Sequence, residues 1–310
     1  MAKIFRFFIK RPINLPPGGC IPSPPDKRDV LTSEVFPEVK RIPETCPPPF
    51  DLTVLNQNGY PHCVGYACAA MKQEKEMRER KALVFDGDWI YKKCKEMDGL
   101  PNLRGTYLRI GMKVLQKIGA KPKDEKEEEA GKYKIGGYAR VDTISFENLK
   151  KAIFVNGAVL AGFKGSNEGW RSAYIRPPKA GERAWGHAVL LIGYTKNYLI
   201  GLNSWGERWG DKGLFYVPRN YMPFEAWSVL VDLPSSLLVP SSKLEGWVAS
   251  RYLKPSLIEG NVVYPYVRLN LRKEPYGERI TTLARYQRCV VVSDETKKKG
   301  QYNWVKIRVL

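Results

Sequence analysis

The chain of 310 residues is longer than one typical domain, and a composition of 43% hydrophobic and 27% charged residues indicates a globular protein with a buried core. It contains no run of about 18 apolar residues, which argues against a membrane-spanning helix. The formal net charge of +19 favours contact with a polyanion. No zinc-finger, helix-turn-helix or RNA-binding signature accompanies that charge, so we do not expect sequence-specific recognition of nucleic acid.

The N-terminal residues M-A-K-I-F-R-F-F-I-K-R-P do not read as a secretory signal. Their apolar part is shorter than a signal-peptide core, and no small-residue cleavage site follows it. We therefore expect a cytoplasmic protein or one associated with a particle or larger assembly.

Residues 1–50 are rich in proline, as in L-P-P-G-G-C-I-P-S-P-P and C-P-P-P. Prolines at this density prevent regular helix and favour extended chain. Apolar residues lie between them, at Ile21, Val30, Leu31, Val35 and Phe36. The pattern predicts a strap, that is, an extended segment packed on the body of the protein.

The cysteines and histidines do not form a metal-binding pattern. No C-x-x-C occurs, and the only histidines are His62 and His187, so we expect neither a structural zinc site nor a cofactor. A disulfide between Cys20 and Cys46 stays open as a clip within the strap. The six cysteines are scattered, at positions 20, 46, 63, 68, 94 and 289.

A helix-rich half follows the strap. Apolar residues from Val64 to Met71 recur at helical spacing, and the charged stretch after them, K-Q-E-K-E-M-R-E-R-K, is predicted to be a solvent-exposed extension with i, i+4 ion pairs. Further helices are predicted over 89–97, from a cap at Thr106 to about 119, and from a cap at Ser145 to 153.

Strand-length apolar runs divided by glycines begin after Gly157. Helices followed by strands predict an α+β fold of two lobes with a cleft between them, over residues 51–235. Residues 236–260 read as a linker, and short strands in 261–310 indicate a small all-β barrel.

Three motifs carry residues suited to thiol chemistry. Cys63 stands at a helix start in Q-N-G-Y-P-H-C-V, where the helix dipole favours the thiolate. His187 opens the strand H-A-V-L-L-I-G-Y, and Asn203 follows a later strand in L-N-S-W-G. A buried structural role is the commoner one for a single cysteine. However, a thiol nucleophile needs a base, a group that orients the base, and donors for an oxyanion, and His187, Asn203 and Gln57 can supply these.

The motifs resemble those of papain-like (C1) cysteine peptidases of the compact microbial and viral type, over roughly residues 20–235. The resemblance implies a fold with a helical lobe and a β-barrel-like lobe. It implies Cys63 as nucleophile, His187 as base, Asn203 as orienting residue and Gln57 as oxyanion donor. It also implies that the indole of Trp205 shields the histidine–asparagine pair.

Several positions depart from the family pattern. Val64 stands where a tryptophan is usual, Tyr60 replaces a disulfide cysteine, and Pro61 and Gly186 replace a glycine and a polar residue. His62 beside the nucleophile is also unusual. The resemblance still predicts a lowered thiol pKa at Cys63.

The predicted reaction is hydrolysis of a polypeptide through an acyl-enzyme. Leu160, Trp185 and Ala188 are candidates for a pocket that binds an apolar side chain one residue before the cleaved position. Two alternatives stay open: a degenerate peptidase with a binding or structural role, and a peptidoglycan-peptide hydrolase.

The C-terminal residues resemble a bacterial SH3 domain, through L-N-L-R at 269–272 and W-V-K-I at 304–307. Such modules bind cell-wall peptides or pack on a neighbouring domain. Because this region is basic, anionic cell wall or another polyanion is a candidate partner.

Overall fold

A computed structural model describes residues 18–35, 42–48, 51–78, 81–142, 144–230, 245–254, 262–265, 269–283 and 289–309. The first 17 residues of the predicted strap, Phe36, residues 231–235 at the end of the predicted peptidase domain, and the linker residues 236–244 and 255–260 lie outside this part. No helix in the described ranges is long and apolar enough to cross a membrane.

Five α-helices and fifteen β-strands occur in the described ranges. The helices are α1 (Thr32–Val35), α2 (Cys63–Arg78), α3 (Gly87–Met97), α4 (Leu108–Lys117) and α5 (Phe146–Asn156). The first eight strands are β1 (Cys20–Ile21), β2 (Thr106–Tyr107), β3 (Gly137–Arg140), β4 (Val159–Ser166), β5 (Ala184–Tyr194), β6 (Tyr198–Leu202), β7 (Leu214–Pro218) and β8 (Glu225–Leu230). The other seven are β9 (Glu245–Ala249), β10 (Leu253–Lys254), β11 (Val262–Pro265), β12 (Leu269–Arg272), β13 (Arg279–Leu283), β14 (Cys289–Lys299) and β15 (Tyr302–Val309).

An antiparallel sheet of six strands, in the order β3-β8-β4-β5-β6-β7, forms the centre of the protein. Alternate side chains of β4 and β5 point to opposite faces. Leu160 and Leu190 join the core made with α2, α3 and α4, whereas Val159 and Leu191 join the core made with α5. The α+β prediction is confirmed, and in the described residues the strand order has two edges, β3 and β7; a barrel-like shape of the lobe stays a prediction.

The helices begin close to the predicted positions. Helix α5 is capped by the Ser145 side chain, which accepts from the Asn148 N–H at 3.1 Å. Thr106, the predicted cap of α4, instead pairs in β2 with Cys20 of the strap, and the helix starts at Leu108. Thr106 therefore pairs with a strand that is distant in sequence instead of capping the helix.

The charged end of α2 is buried, contrary to the prediction of a solvent-exposed extension. Lys72, Glu74 and Lys75 are all buried because other chain segments cover them. The Lys72 ammonium donates to the carbonyl of Lys134 at 3.0 Å, and that of Lys75 donates to the carbonyl of Asn156 at 2.7 Å.

A second sheet of seven strands, in the order β10-β11-β14-β15-β9-β12-β13, contains the C-terminal residues. It has a core of its own, which includes Val248, Leu271, Val305 and Ile307. Strands β9 and β10 lie within residues 236–260, the range predicted to be linker. They belong to the second sheet, and Val248 and Ala249 are buried in this unit. The all-β class agrees with the sequence, while the resemblance to SH3 domains stays a prediction.

The described residues of the strap pack on the body. Strand β1 pairs in parallel with β2, and the N–H of Arg140 donates to the carbonyl of Val30 at 2.8 Å. All six cysteines lie in the described ranges and none forms a disulfide. The disulfide clip between Cys20 and Cys46 is absent. The backbone of Cys46 forms a β-bridge with Tyr194, and the backbone of Cys20 pairs with Thr106.

Candidate active site

Cys63 is the first residue of α2 and is completely buried. Burial disfavours its thiolate, while nearby backbone N–H groups favour it, those of Ala188 in β5, Gly19 in the strap, and Val64 and Cys63 itself at the helix start. Burial nevertheless outweighs these donors and raises the pKa of the Cys63 thiol to about 11. The prediction of a lowered pKa is therefore wrong for this arrangement, because no solvent reaches the sulfur.

His187 and Asn203 are brought together by the pairing of β5 with β6, in which Leu190 lies opposite Leu202. His187 Nε2 lies 2.8 Å from Asn203 Oδ1. The same oxygen accepts from the Ser204 N–H at 2.8 Å, which identifies it as the acceptor. Nε2 of His187 therefore carries the proton, and Nδ1 keeps a lone pair that can accept one.

Three indoles surround the imidazole of His187. The ring centre of Trp205 lies 4.7 Å away, that of Trp170 5.4 Å and that of Trp185 5.9 Å. Burial lowers the pKa of His187 to about 4, although the hydrogen bond to Asn203 opposes the shift. At neutral pH the site thus holds an uncharged thiol and an uncharged imidazole.

Gln57 is buried and connects the loop before α2 to the residues after β6. Its Oε1 accepts from the Ser204 hydroxyl at 2.7 Å, and its backbone N–H donates to the Ser204 carbonyl at 2.9 Å. Nε2 donates one hydrogen to the Tyr60 carbonyl at 2.5 Å. A primary amide has a second N–H, which is available to a reacting group.

Two of the three predicted pocket residues have no exposed surface in this arrangement. Leu160 and Ala188 are completely buried in the core between α2 and the sheet. Trp185 is half-buried, and its indole N–H donates to Asn167 Oδ1 at 2.9 Å. The preference for an apolar substrate side chain stays a prediction.

His62 belongs to a cluster that joins α2 to α3. Its Nδ1 lies 2.7 Å from Asp88 Oδ1, and its ring stacks on Tyr91 with centres 3.9 Å apart. The Tyr66 hydroxyl donates to the other Asp88 oxygen at 2.9 Å. Sequence reasoning missed Asp88, which carries no motif; its only signal is an acidic residue in the first turn of a helix.

The contact of Gly19 with Cys63 was also missed by sequence reasoning. The signal available was the pair of glycines in P-P-G-G-C, since adjacent glycines allow a chain to approach other backbone closely.

Residues 67–226, slightly more than half of the chain, match the model of the papain family of cysteine proteases. The chain belongs to this family. It is accordingly a cysteine peptidase, and its α+β fold is the papain-like one. The matched span contains His187 and Asn203 but begins four residues after Cys63, so the family match does not itself include the proposed nucleophile.

Relatives of the chain come from several kinds of organism. An uncharacterized peptidase C1-like protein of Acanthamoeba polyphaga mimivirus is 27% identical over 257 residues, which cover 67% of this chain and 83% of the viral one. Cathepsin L of Sarcophaga peregrina is 28% identical over 92 residues, 27% of each chain. The crystal structure of xylellain, a cysteine protease from Xylella fastidiosa, superimposes with a TM-score of 0.61 at 25% identity and covers 70% of this chain and 96% of xylellain.

Proposed function

We propose that this peptidase is a thiol-dependent endopeptidase that uses Cys63 as nucleophile, His187 as base and Asn203 as the residue that orients the base. The observation that carries the proposal is the pair of hydrogen bonds to Asn203 Oδ1, from His187 Nε2 and from the Ser204 N–H. This pair fixes the tautomer of His187 that can accept a thiol proton at Nδ1.

In the first half of the reaction, the proton of Cys63 moves to His187 Nδ1 and the sulfur attacks the carbonyl carbon of the peptide. The carbonyl oxygen becomes negative, and the backbone N–H of Cys63 together with the second amide N–H of Gln57 can stabilise it. The C–N bond then breaks, and the imidazolium returns its proton to the leaving amine.

In the second half, a water molecule attacks the thioester carbon while His187 removes its proton. The C–S bond breaks, the carboxylic acid leaves, and the thiol and neutral imidazole are restored. Trp205 assists by keeping water from the His187–Asn203 hydrogen bond, because such a bond is stronger in a dry environment.

The proposal is tested with a thiol-directed epoxide and with a library of fluorogenic peptides. Cys63→Ala is expected to remove both epoxide labelling and hydrolysis, and His187→Ala to lower kcat/KM by about 10²–10⁴-fold, the range expected for loss of a general base. Mass spectrometry identifies the labelled residue. If Cys63 takes up the epoxide but no peptide, including wall peptides, is cleaved above the Cys63→Ala background, the chain is a degenerate peptidase with a binding role.

A further inference from the structure

The seven-stranded sheet carries a group of aromatic rings on one face. Val305 and Ile307 of β15 belong to the core of this unit. Because side chains alternate along a strand, Tyr302 and Trp304 project to the opposite face. Tyr276, from the turn between β12 and β13, lies against both: its ring centre is 5.0 Å from that of Trp304 and 6.0 Å from that of Tyr302. Tyr276, Tyr302 and Trp304 together are called the aromatic platform below.

Tyr276 occupies a turn position that favours glycine. The Gly277 N–H donates to the Glu274 carbonyl at 2.8 Å and closes the turn, in which Pro275 precedes Tyr276. Tyr276 has a φ of +60°, in the left-handed region, where glycine or asparagine is usual at the third residue of a turn. The chain thus keeps a strained tyrosine whose side chain is 47% exposed. Backbone strain of this kind collects at functional sites, so the exposed ring itself calls for a function.

The turn of the neighbouring hairpin makes room for this tyrosine. Gly300, between β14 and β15, also has a positive φ, of 61°. A Cβ on Gly300 would lie only 2.6 Å from the hydroxyl oxygen of Tyr276. The position of the Tyr276 ring therefore depends on two separate turns, which together define one end of the platform.

Cations lie beside the platform. The guanidinium carbon of Arg251 lies 4.3 Å from the centre of the Tyr302 ring, and its Nη2 donates to the Tyr302 hydroxyl at 3.2 Å. Lys299 lies opposite Tyr302 in the pairing of β14 with β15, and Lys297 lies opposite Trp304. Because residues opposite each other in a sheet share a face, both lysines project to the face of the platform.

Trp304 supplies a polar group that is without a partner. Its side chain is only 5% exposed, and its indole N–H has no hydrogen-bond partner among the described residues. Buried donors are nearly always paired in folded proteins, so an unpaired one requires an explanation. An acceptor atom of a ligand bound at the platform would satisfy this donor.

Aromatic faces beside cations suit a ligand that has flat rings and repeated negative charges. Single-stranded nucleic acid has both, since its bases stack on aromatic side chains and its phosphates attract lysine and arginine. The C-terminal unit is cationic as a whole, because residues 245–310 contain 13 lysines and arginines but six aspartates and glutamates. A neutral glycan could stack on the rings but would leave these charges unmatched. Stacking accepts every base, which agrees with the absence of a sequence-reading motif from the chain.

We propose that the aromatic platform, with Arg251 and Lys299, binds single-stranded nucleic acid without sequence preference. A base stacks on the exposed ring of Tyr276, and the two cations contact phosphates of the same strand. The site lies in the C-terminal unit and does not depend on the proposed catalytic residues.

The test measures binding of a fluorescein-labelled single strand of about 20 nucleotides and mixed sequence to the full-length chain, by fluorescence anisotropy. Tyr276→Gly removes the ring and places at this turn the residue that a positive φ favours, so the fold is kept while stacking is lost. We expect Kd to rise about 5- to 100-fold, the range for loss of one stacked base. Tyr276→Phe keeps the ring and should leave Kd unchanged. Tyr174→Gly, the same change at an exposed tyrosine outside this unit, should also leave it unchanged.

Two adjacent lysines of β14 give a second, matched comparison. Lys299 lies opposite Tyr302, whereas Lys298 lies opposite Asn303 and projects to the other face. For a single strand, each phosphate contact contributes about 0.7 to the slope of log Kd against log salt concentration. Lys299→Gln should therefore lower this slope by about 0.7, and Lys298→Gln should leave it at the wild-type value.

Weaker binding by Tyr276→Gly, shown by urea unfolding to be folded, together with wild-type binding by Tyr276→Phe supports the site. Wild-type affinity in folded Tyr276→Gly overturns it, because charge alone would then explain the binding. If Tyr276→Gly does not fold, the lysine pair decides, and equal slopes for Lys298→Gln and Lys299→Gln overturn the site.

A duplex of the same sequence and purified cell wall serve as competing ligands. A duplex that binds as tightly as the single strand contradicts the proposal, since its bases are not free to stack on the platform. If the single strand does not bind but the chain sediments with cell wall in a way that requires Tyr276, the platform binds a wall polymer and the nucleic-acid proposal is wrong.

Discussion

Asn203 determines the proton position on His187, because its Oδ1 is occupied by two donors. Asn203→Ala would leave the imidazole free to rotate and to adopt the other tautomer. We expect kcat/KM to fall about 10–100-fold while KM changes little, since the side chain orients the base and does not contact the substrate. Steady-state kinetics on one peptide tests this, with folding checked by urea unfolding; a change confined to KM would contradict it.

The buried neutral state of His187 links stability to pH. Its pKa in the folded protein is about 4, while an unfolded chain has about 6.5. Below pH 6.5 the unfolded chain therefore binds a proton that the folded chain does not. The free energy of unfolding should fall as the pH falls from about 6.5 to about 4, by roughly 3 kcal/mol at most.

Urea unfolding at several pH values measures this dependence. His187→Gln should flatten it in that window, whereas His62→Gln, the same change at the other histidine, should leave the contribution of His187 in place. An equal pH dependence of the unfolding free energy for the wild type and His187→Gln would show that the imidazole binds a proton as readily in the folded protein as in the unfolded chain.

At the scale of elements, the C-terminal end of α2 shows where local sequence pattern fails to predict burial. Burial by itself would raise the pKa of Glu74, but Arg78 and Lys75 hold it at about 2. Glu74→Gln should destabilise the protein by about 3–5 kcal/mol, because it removes the carboxylate that neutralises the buried Lys75 ammonium and the Arg78 guanidinium. Glu278→Gln, the same change at an exposed glutamate paired with Lys273, should cost less than about 1 kcal/mol.

Urea unfolding at pH 7 compares the two variants, and equal losses would indicate that α2 ends in solvent after all. The helix itself was predictable from its apolar spacing. Its environment was not, because the covering carbonyls belong to Lys134 and Asn156, 62 and 81 residues away along the chain.

Over the whole molecule, the three motifs of the proposed site were predictable because each contains or adjoins a regular element. Cys63 begins a helix, His187 lies in a strand, and Asn203 follows one, so pattern places the three residues on regular elements, while their catalytic roles stay a proposal. The complete burial of the Cys63 thiol was not predictable from the sequence. It depends on Gly19 reaching Cys63, which follows from parallel pairing of Cys20 with Thr106, and no local period encodes such a pair.

The separation of the seven-stranded sheet from the six-stranded sheet leads to a prediction about the C-terminal unit. Among the residues that the structure describes, both cores around the six-stranded sheet and every proposed catalytic residue lie before residue 231, and the seven-stranded sheet has a separate core. A variant that ends at Leu230 should therefore fold, and its kcat/KM should stay within about threefold of the full chain, as expected for independent domains. Both lengths are compared by steady-state kinetics on the same fluorogenic peptide. A soluble, folded short form with activity reduced far beyond this range would show that the C-terminal sheet contributes to substrate binding or to the geometry of the cleft.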